Sequence, residues 1–150
     1  MSDVAFDEDT STSISVSGSD VDGDALTFSI TGGSEITVTL NGSDITFTAS
    51  ENFNGSETFT ITTTDSELSD SQNITVTVNA VYDPPVATIG LSGTTNEDQD
   101  IVINLSGSDV DGDALTVTAD TPSNGSVIVD GSFVTYTPSA DYNGDDSFTF

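Results

Sequence analysis

Lysine, arginine, histidine and cysteine are all absent from the 150 residues. Without histidine, lysine or cysteine there is no Ser-His-Asp or Cys-His nucleophile, no Schiff-base lysine, and no zinc site of imidazole or thiolate. Without lysine or arginine nothing neutralises phosphate, which excludes nucleic acid and an anionic membrane surface as partners. The missing cysteines exclude a disulfide framework but not secretion. No run approaches the ~20 apolar residues of a membrane span, so direct membrane insertion is not expected. The opening MSDVAFDEDT has neither a basic n-region nor an apolar h-region, and any export signal or anchor is expected outside this sequence.

What is present is acid: 26 Asp and Glu give a formal charge of −26. These carboxylates have no internal salt-bridge partner beyond the N-terminal amine, so they repel one another in the folded state, most strongly at low salt. Carboxylate, carbonyl and hydroxyl oxygens are the only ligands on offer, and they suit a hard cation such as Ca²⁺. Composition therefore raises a calcium question.

High charge with 33% hydrophobic residues leans toward disorder by composition, but the pattern argues for strands. ITVTL (36–40), ITFT (45–48), TFTITTT (58–64) and ITVTVNAV (74–81) alternate β-branched or aromatic residues with Thr or Asn at period two. Strands are predicted at about 12–17, 25–31, 35–40, 44–49, 57–64 and 73–81, with a type I′ hairpin turn at Asn41-Gly42. No segment has helical periodicity.

The sequence repeats itself without gaps at an offset of 89 residues. GSDVDGDALT stands at 18–27 and again at 107–116, and 25 of the 61 positions that align (1–61 with 90–150) are identical. The same offset carries Glu8-Asp9 onto Glu97-Asp98, Phe47 onto Tyr136 and Phe59 onto Phe148. A unit of about 90 residues with six or seven short strands is the size of an immunoglobulin-like sandwich. The expected organisation is all-β: one sandwich over 1–83 and a second over 84–150, joined near Asp83-Pro84-Pro85, where paired prolines stiffen the link. Phe150 aligns with Ile61, so the second repeat is expected to be incomplete, lacking its last strand. That strand would lie further along a longer array or come from a neighbouring chain.

The order of motifs resembles cadherin-like tandem repeats of large bacterial surface proteins and adhesins. FDED (6–9) is similar to the acidic motif of the family's first strand, SDVDGDALTFSI (19–30) to its Asp-x-Asp segment, TTTD (62–65) to the acidic end of its sixth strand, and ITVTVNAVYDPP (74–85) to its last strand and junction. The resemblance implies an extracellular, cell-surface module whose Ca²⁺ bridges successive repeats. Carried over, the ligands at the central junction would be Glu8, Asp83, Asp109 and Asp111. Asp20, Asp22 and Asp65 would form the upper half-site of the first repeat, and Glu97 would serve a junction beyond residue 150. Asp24 and Asp113 are assigned to the turn more than to the metal.

Other readings are open. DVDGD is not an EF-hand, which requires Gly at the sixth loop position, Glu at the twelfth and flanking helices, but it could be a plain polar turn. The aromatic residues read as sandwich core, and the five Asn-x-Ser/Thr sequons say little in so Ser- and Thr-rich a chain. Paired carboxylates could serve a glycosidase, yet small sandwiches offer no deep cleft, and no enzyme is expected. The partners expected are neighbouring repeats of the same longer chain. The alternatives to a calcium-stiffened extender or adhesion repeat are a sandwich module that binds a surface glycan or protein, and a calcium-independent acidic spacer.

Overall fold

The computed structural model describes residues 2–150. The chain divides between Val81 and Tyr82 into two compact units. Secondary structure is strand, turn and loop throughout, and no helix of the described residues is long and apolar enough to cross a membrane.

Unit 1 holds seven strands: β1 (Val4–Asp7), β2 (Ser11–Ser15), β3 (Thr27–Gly32), β4 (Ile36–Asn41), β5 (Asp44–Ala49), β6 (Gly55–Thr64) and β7 (Ser69–Asn79). They form one sheet in the order β1-β7-β6-β3 and another in the order β2-β5-β4. Every pairing is antiparallel except β1 with β7, where Val4 lies opposite Val76 and Phe6 opposite Val78. Period-two alternation turns Ile45 and Phe47 of β5, Phe59 and Ile61 of β6, and Ile74, Val76 and Val78 of β7 into one core with Phe6, Val16 and Ile36. Phe47 and Phe59 meet edge to face at its centre, with ring centroids 5.2 Å apart at 66°.

The predicted strands are found, 44–49 with the expected ends and the others with shifted ones, and β1 is an addition to them. Val4–Asp7 is four residues long, half of it exposed, too short to show alternation. β7 begins at Ser69 rather than 73, because the polar SDSQN stretch continues the ladder with β6 (Ser69 opposite Thr64). The hairpin turn also differs from the expected type. Asn41 pairs with Asp44, so Gly42-Ser43 is the loop, and among these only Gly42 has positive φ (64°). That is the pattern of a type II′ turn, whose first central position favours Gly.

In unit 2, β8 (Val86–Ala87) pairs with β10 (Gly107–Ser108), while β9 (Ile101–Asn104), β11 (Gly125–Asp130) and β12 (Phe133–Pro138) form a sheet in the order β11-β12-β9. This sheet reproduces β4-β5-β2 at the repeat offset, including the turn, where Gly131 has φ 60°. The equivalents of β3 and β6, residues 116–121 and 144–150, are not strands. They do touch in the register of unit 1: the Asp120 amide donates to the Thr149 carbonyl at 2.9 Å, and the Thr149 hydroxyl donates to the Asp120 carboxylate. The corresponding pair in unit 1 is Thr31 with Thr60.

Candidate metal centre

The two copies of GSDVDGD fold into loops of different internal bonding. In unit 1, the loop between β2 and β3 is organised by Asp20, whose Oδ1 accepts the amides of Asp22 and Gly23 at 2.8 Å and of Asp24 at 3.1 Å. This is the local side-chain-to-backbone closure that Asp favours in turns. Asp65 acts alike in the β6–β7 turn, its Oδ1 accepting from Leu68 at 2.7 Å and Glu67 at 2.8 Å, which holds its carboxyl below the usual range. Among the described residues, Asp20, Asp22 and Asp65 do not come together as a three-carboxylate group.

In unit 2 the same sequence gathers its carboxylates. Asp109, Asp111 and Asp113 each present an oxygen within 4.8 Å of the others; Asp109 is half-buried and the other two are exposed. Asp109 Oδ1 accepts from the Asp113 amide at 3.1 Å, and Asp111 Oδ2 accepts from the Asp83 amide at 2.8 Å. Asp83, the junction residue, is thereby tied to the loop. Oxygens bound to a common Ca²⁺ at 2.3–2.6 Å lie no more than about 5 Å apart, so this group fits such an ion without rearrangement of scale. Asp113, assigned to the turn from sequence, supplies both the turn's amide and the third oxygen.

Glu8 has a different setting from the other acids, being 3% exposed. Its amide donates to the Asn79 carbonyl, its Oε1 accepts from the Val81 amide at 2.6 Å, and its Oε2 accepts from Asn54 Nδ2 at 3.4 Å. It therefore fixes the residues that follow β7. Its repeat equivalent, Glu97, is exposed. Beside each stands an Asp whose bonding is the same in both repeats. Asp9 Oδ1 accepts from the Asn52 amide, and Asp98 Oδ1 from the Asp141 amide, both at 3.0 Å.

One acidic pair has no counterpart among the residues singled out from sequence. Glu57 accepts from the amides of Ser34, Glu35 and Ile36 at 2.9–3.1 Å and from the Ser34 hydroxyl at 2.6 Å. Partial burial would raise its pKa, but these bonds to the charged form outweigh it and leave it at about 2. Asp146, 89 residues on, takes the amides of Ser123 and Asn124 and the Tyr136 hydroxyl. Here too burial works upward, and the hydrogen bonds prevail to lower the carboxyl's pKa. The available signal was an acid kept at the same repeat position inside a Thr-rich segment.

Comparison with solved structures finds low-scoring likenesses. An endo-fucoidan hydrolase from glycoside hydrolase family 107 is 21% identical with a TM-score of 0.44, the match covering 99% of this chain and 25% of the hydrolase chain. The titin domains z1z2 in complex with telethonin are 11% identical with a TM-score of 0.36, covering 94% of this chain and 79% of that one. This chain thus spans about a quarter of the hydrolase's length. No curated protein sequence matches. The family model described as bacterial Ig domain matches twice, over residues 2–77 and 82–150, and such domains typically occur in extracellular surface proteins. The chain belongs to the bacterial Ig domain family, as two copies in tandem.

Proposed function

We propose that this chain is a calcium-stiffened extender repeat of a large bacterial surface protein, of the cadherin-like kind, in which Ca²⁺ bound beside the junction residue Asp83 limits motion between successive repeats. The observation that carries the reading is the convergence of Asp109, Asp111 and Asp113 within 4.8 Å, in a chain with no Lys, Arg or His to neutralise them and with Asp83 bonded to Asp111. Asp83, Asp109 and Asp111 would hold the ion, joined by Asp113. When bound, the ion supplies charge neutralisation and cross-linking of loop to junction. Without it, the loop and junction would be held by the single Asp83–Asp111 hydrogen bond against the repulsion of the surrounding carboxylates. The reading gives the chain no catalytic role, in keeping with its lack of imidazole, thiol and amine side chains.

Extracellular modules bind Ca²⁺ with Kd of about 10⁻⁴–10⁻³ M, so about 10 mM ion would add roughly 1.4–2.7 kcal/mol per site. Calorimetric titration with CaCl₂ and MgCl₂ tests this. The expected result is Ca²⁺-selective heat that is lost in the Asp109→Ala, Asp111→Ala double variant. Equal melting in EDTA, CaCl₂, MgCl₂ and ionic-strength-matched NaCl would overturn the reading and leave an acidic spacer.

A further inference from the structure

The sheet β11-β12-β9 has two faces, and one of them carries Val134 into the interior. On the other, solvent-facing side, period two sets Ile128 opposite Thr135, Thr135 opposite Val102, and Phe133 between Asp130 and Asn104. Ile128 is 68% exposed, Val102 60% and Phe133 52%. Directly opposed side chains stand about 4.5–5.5 Å apart and diagonal ones about 7–8 Å, within reach of an aromatic ring, so the three form one apolar patch. Unit 1 has none there. Its residues at the same repeat positions are Thr39, Ser13 and Asp44, and two of these are tied into polar pairs, Ser13 with the Thr46 hydroxyl at 2.8 Å and Asp44 accepting from the Ser15 hydroxyl. A sheet with one face in water alternates apolar inward and polar outward. Unit 1 keeps that rule over all of β2-β5-β4, whereas unit 2 departs from it at three neighbouring positions of a sheet it otherwise reproduces.

We infer that this patch is a binding platform for a neutral glycan built of all-equatorial pyranose units. Phe133 receives the C–H face of one sugar, the Asp130 carboxylate and the Asn104 carboxamide take its hydroxyls, and Val102 and Ile128 carry the next unit. An apolar surface with a few polar groups that fix orientation is the usual make-up of a small-ligand site, and Asp130 and Asn104 are exposed on either side of the ring. Size and charge select the occupant. Three side chains little more than half exposed present on the order of 300 Å², whereas each side of a standard protein interface buries about 800 Å². Asp100 and Asp130 are exposed at the border of the patch, in a chain with no Lys or Arg, so a uronic or sulfated glycan would be repelled. A second copy of this chain, itself at −26, would be repelled as well. The platform uses no residue of the Asp109–Asp113 loop, so it stands or falls separately from the calcium reading.

The test titrates cellopentaose into the full chain, in EDTA and in CaCl₂, and follows the backbone amides by NMR. The expected result in both buffers is a saturable shift of the amides of 102–104, 128–130 and 133–135, with sulfated cellopentaose giving none. Phe133→Ala should weaken binding roughly tenfold or more. Val102→Ser with Ile128→Thr, which bring in the unit 1 residues, should weaken it by less. Retained exchange protection at Val134 shows that these variants fold. Transfer of the platform keeps the test open if they do not: Ser13→Val, Thr39→Ile and Asp44→Phe together should create a second site on β2-β5-β4. Four results would overturn the inference: no saturable shift, shifts confined to other surfaces, wild-type binding by the Phe133→Ala variant, or equal binding of the sulfated sugar. Concentration-dependent broadening of the same amides without sugar would also overturn it, assigning the face to a second copy.

Discussion

Among the described residues, unit 1 buries ten apolar side chains around Phe47 and Phe59, whereas unit 2 buries three, Leu105, Pro122 and Val134. Yet the sheet that both units share, β2-β5-β4 against β9-β12-β11, keeps the same order, register and turn. The difference lies in the opposite sheet. In unit 1 the β6–β7 ladder runs from Gly55–Val78 to Thr64–Ser69 and closes the sandwich with Phe59, Ile61, Ile74, Val76 and Val78. In unit 2 Phe148 is half-buried and Phe150 is 37% exposed. The order of the shared sheet is thus the same with or without a complete opposite sheet, but burial of its apolar face depends on the β6–β7 hairpin packed against it. The second lesson is compensation within the shared sheet. Ile36 and Phe47 of unit 1 become Gly125 and Tyr136. A Cβ on Gly125 would stand 2.5 Å from the Tyr136 ring and 2.6 Å from the Thr137 carbonyl, so the larger ring occupies the space of the missing side chain. Its hydroxyl reaches Asp146 at 3.0 Å, and burial, with the Asp146 carboxylate, pushes the phenol's pKa upward.

The largest expected effect separates the two cores. Phe59→Ala should cost about 3–5 kcal/mol in unit 1, while Phe148→Ala at the matching position should cost well under half of that. Urea unfolding followed by amide signals from each unit checks it, and equal costs would break the comparison. Next, Gly125→Ala should destabilise unit 2 by about 1–3 kcal/mol through overpacking against the Tyr136 ring and a carbonyl that cannot move aside. Partial rescue by Tyr136→Phe would show that the hydroxyl anchors the ring; full rescue requires a smaller side chain.

The carboxylate clamps give a third, smaller effect. Glu57→Gln should cost unit 1 about 2 kcal/mol, since hydrogen bonds to a charged group are lost. The pH dependence has a fixed sign: a carboxyl depressed to about 2 from 4.5 contributes stability that is present above pH 4.5 and fades as pH falls toward 2. Melting of wild-type unit 1 should therefore lose more between pH 5 and 2 than melting of the Glu57→Gln variant. Asp146→Asn should act in the same direction on unit 2. The smallest effect is expected at the metal loops: Asp20→Ala should lower melting modestly with or without Ca²⁺, because its carboxylate organises backbone, whereas Asp109→Ala should matter mainly when Ca²⁺ is present.

The all-β class, the repeat and most strands were legible because Thr alternates with Ile, Val and Phe at period two, and because 89 residues separate two copies of one decapeptide. β1 was legible only through the resemblance of FDED to a first strand and not from periodicity, since its place is fixed by parallel pairing with β7 some 70 residues away. The turn type was misread by one residue because Asn41 ends a strand instead of entering the loop. For the acids, sequence marked identical Asp triplets but could not tell that Asp20 turns its oxygen onto three amides while Asp109, Asp111 and Asp113 converge. Glu8 was expected as a junction ligand from the resemblance, whereas its burial against the Val81 amide depends on how β7 ends. Glu57 and Asp146 drew no notice because hydrogen bonds to backbone amides leave no trace in residue type.

Stiffening itself is most directly measured by the distance between two spin labels. Because the chain has no cysteine, Thr39→Cys and Ile128→Cys would give two unique attachment points on exposed, repeat-equivalent positions of the two units. Double electron–electron resonance should show a broad distance distribution in EDTA that narrows with CaCl₂ and stays broad with MgCl₂, or when Asp109 and Asp111 are changed to Ala. A distribution of the same width with and without Ca²⁺ would contradict the account.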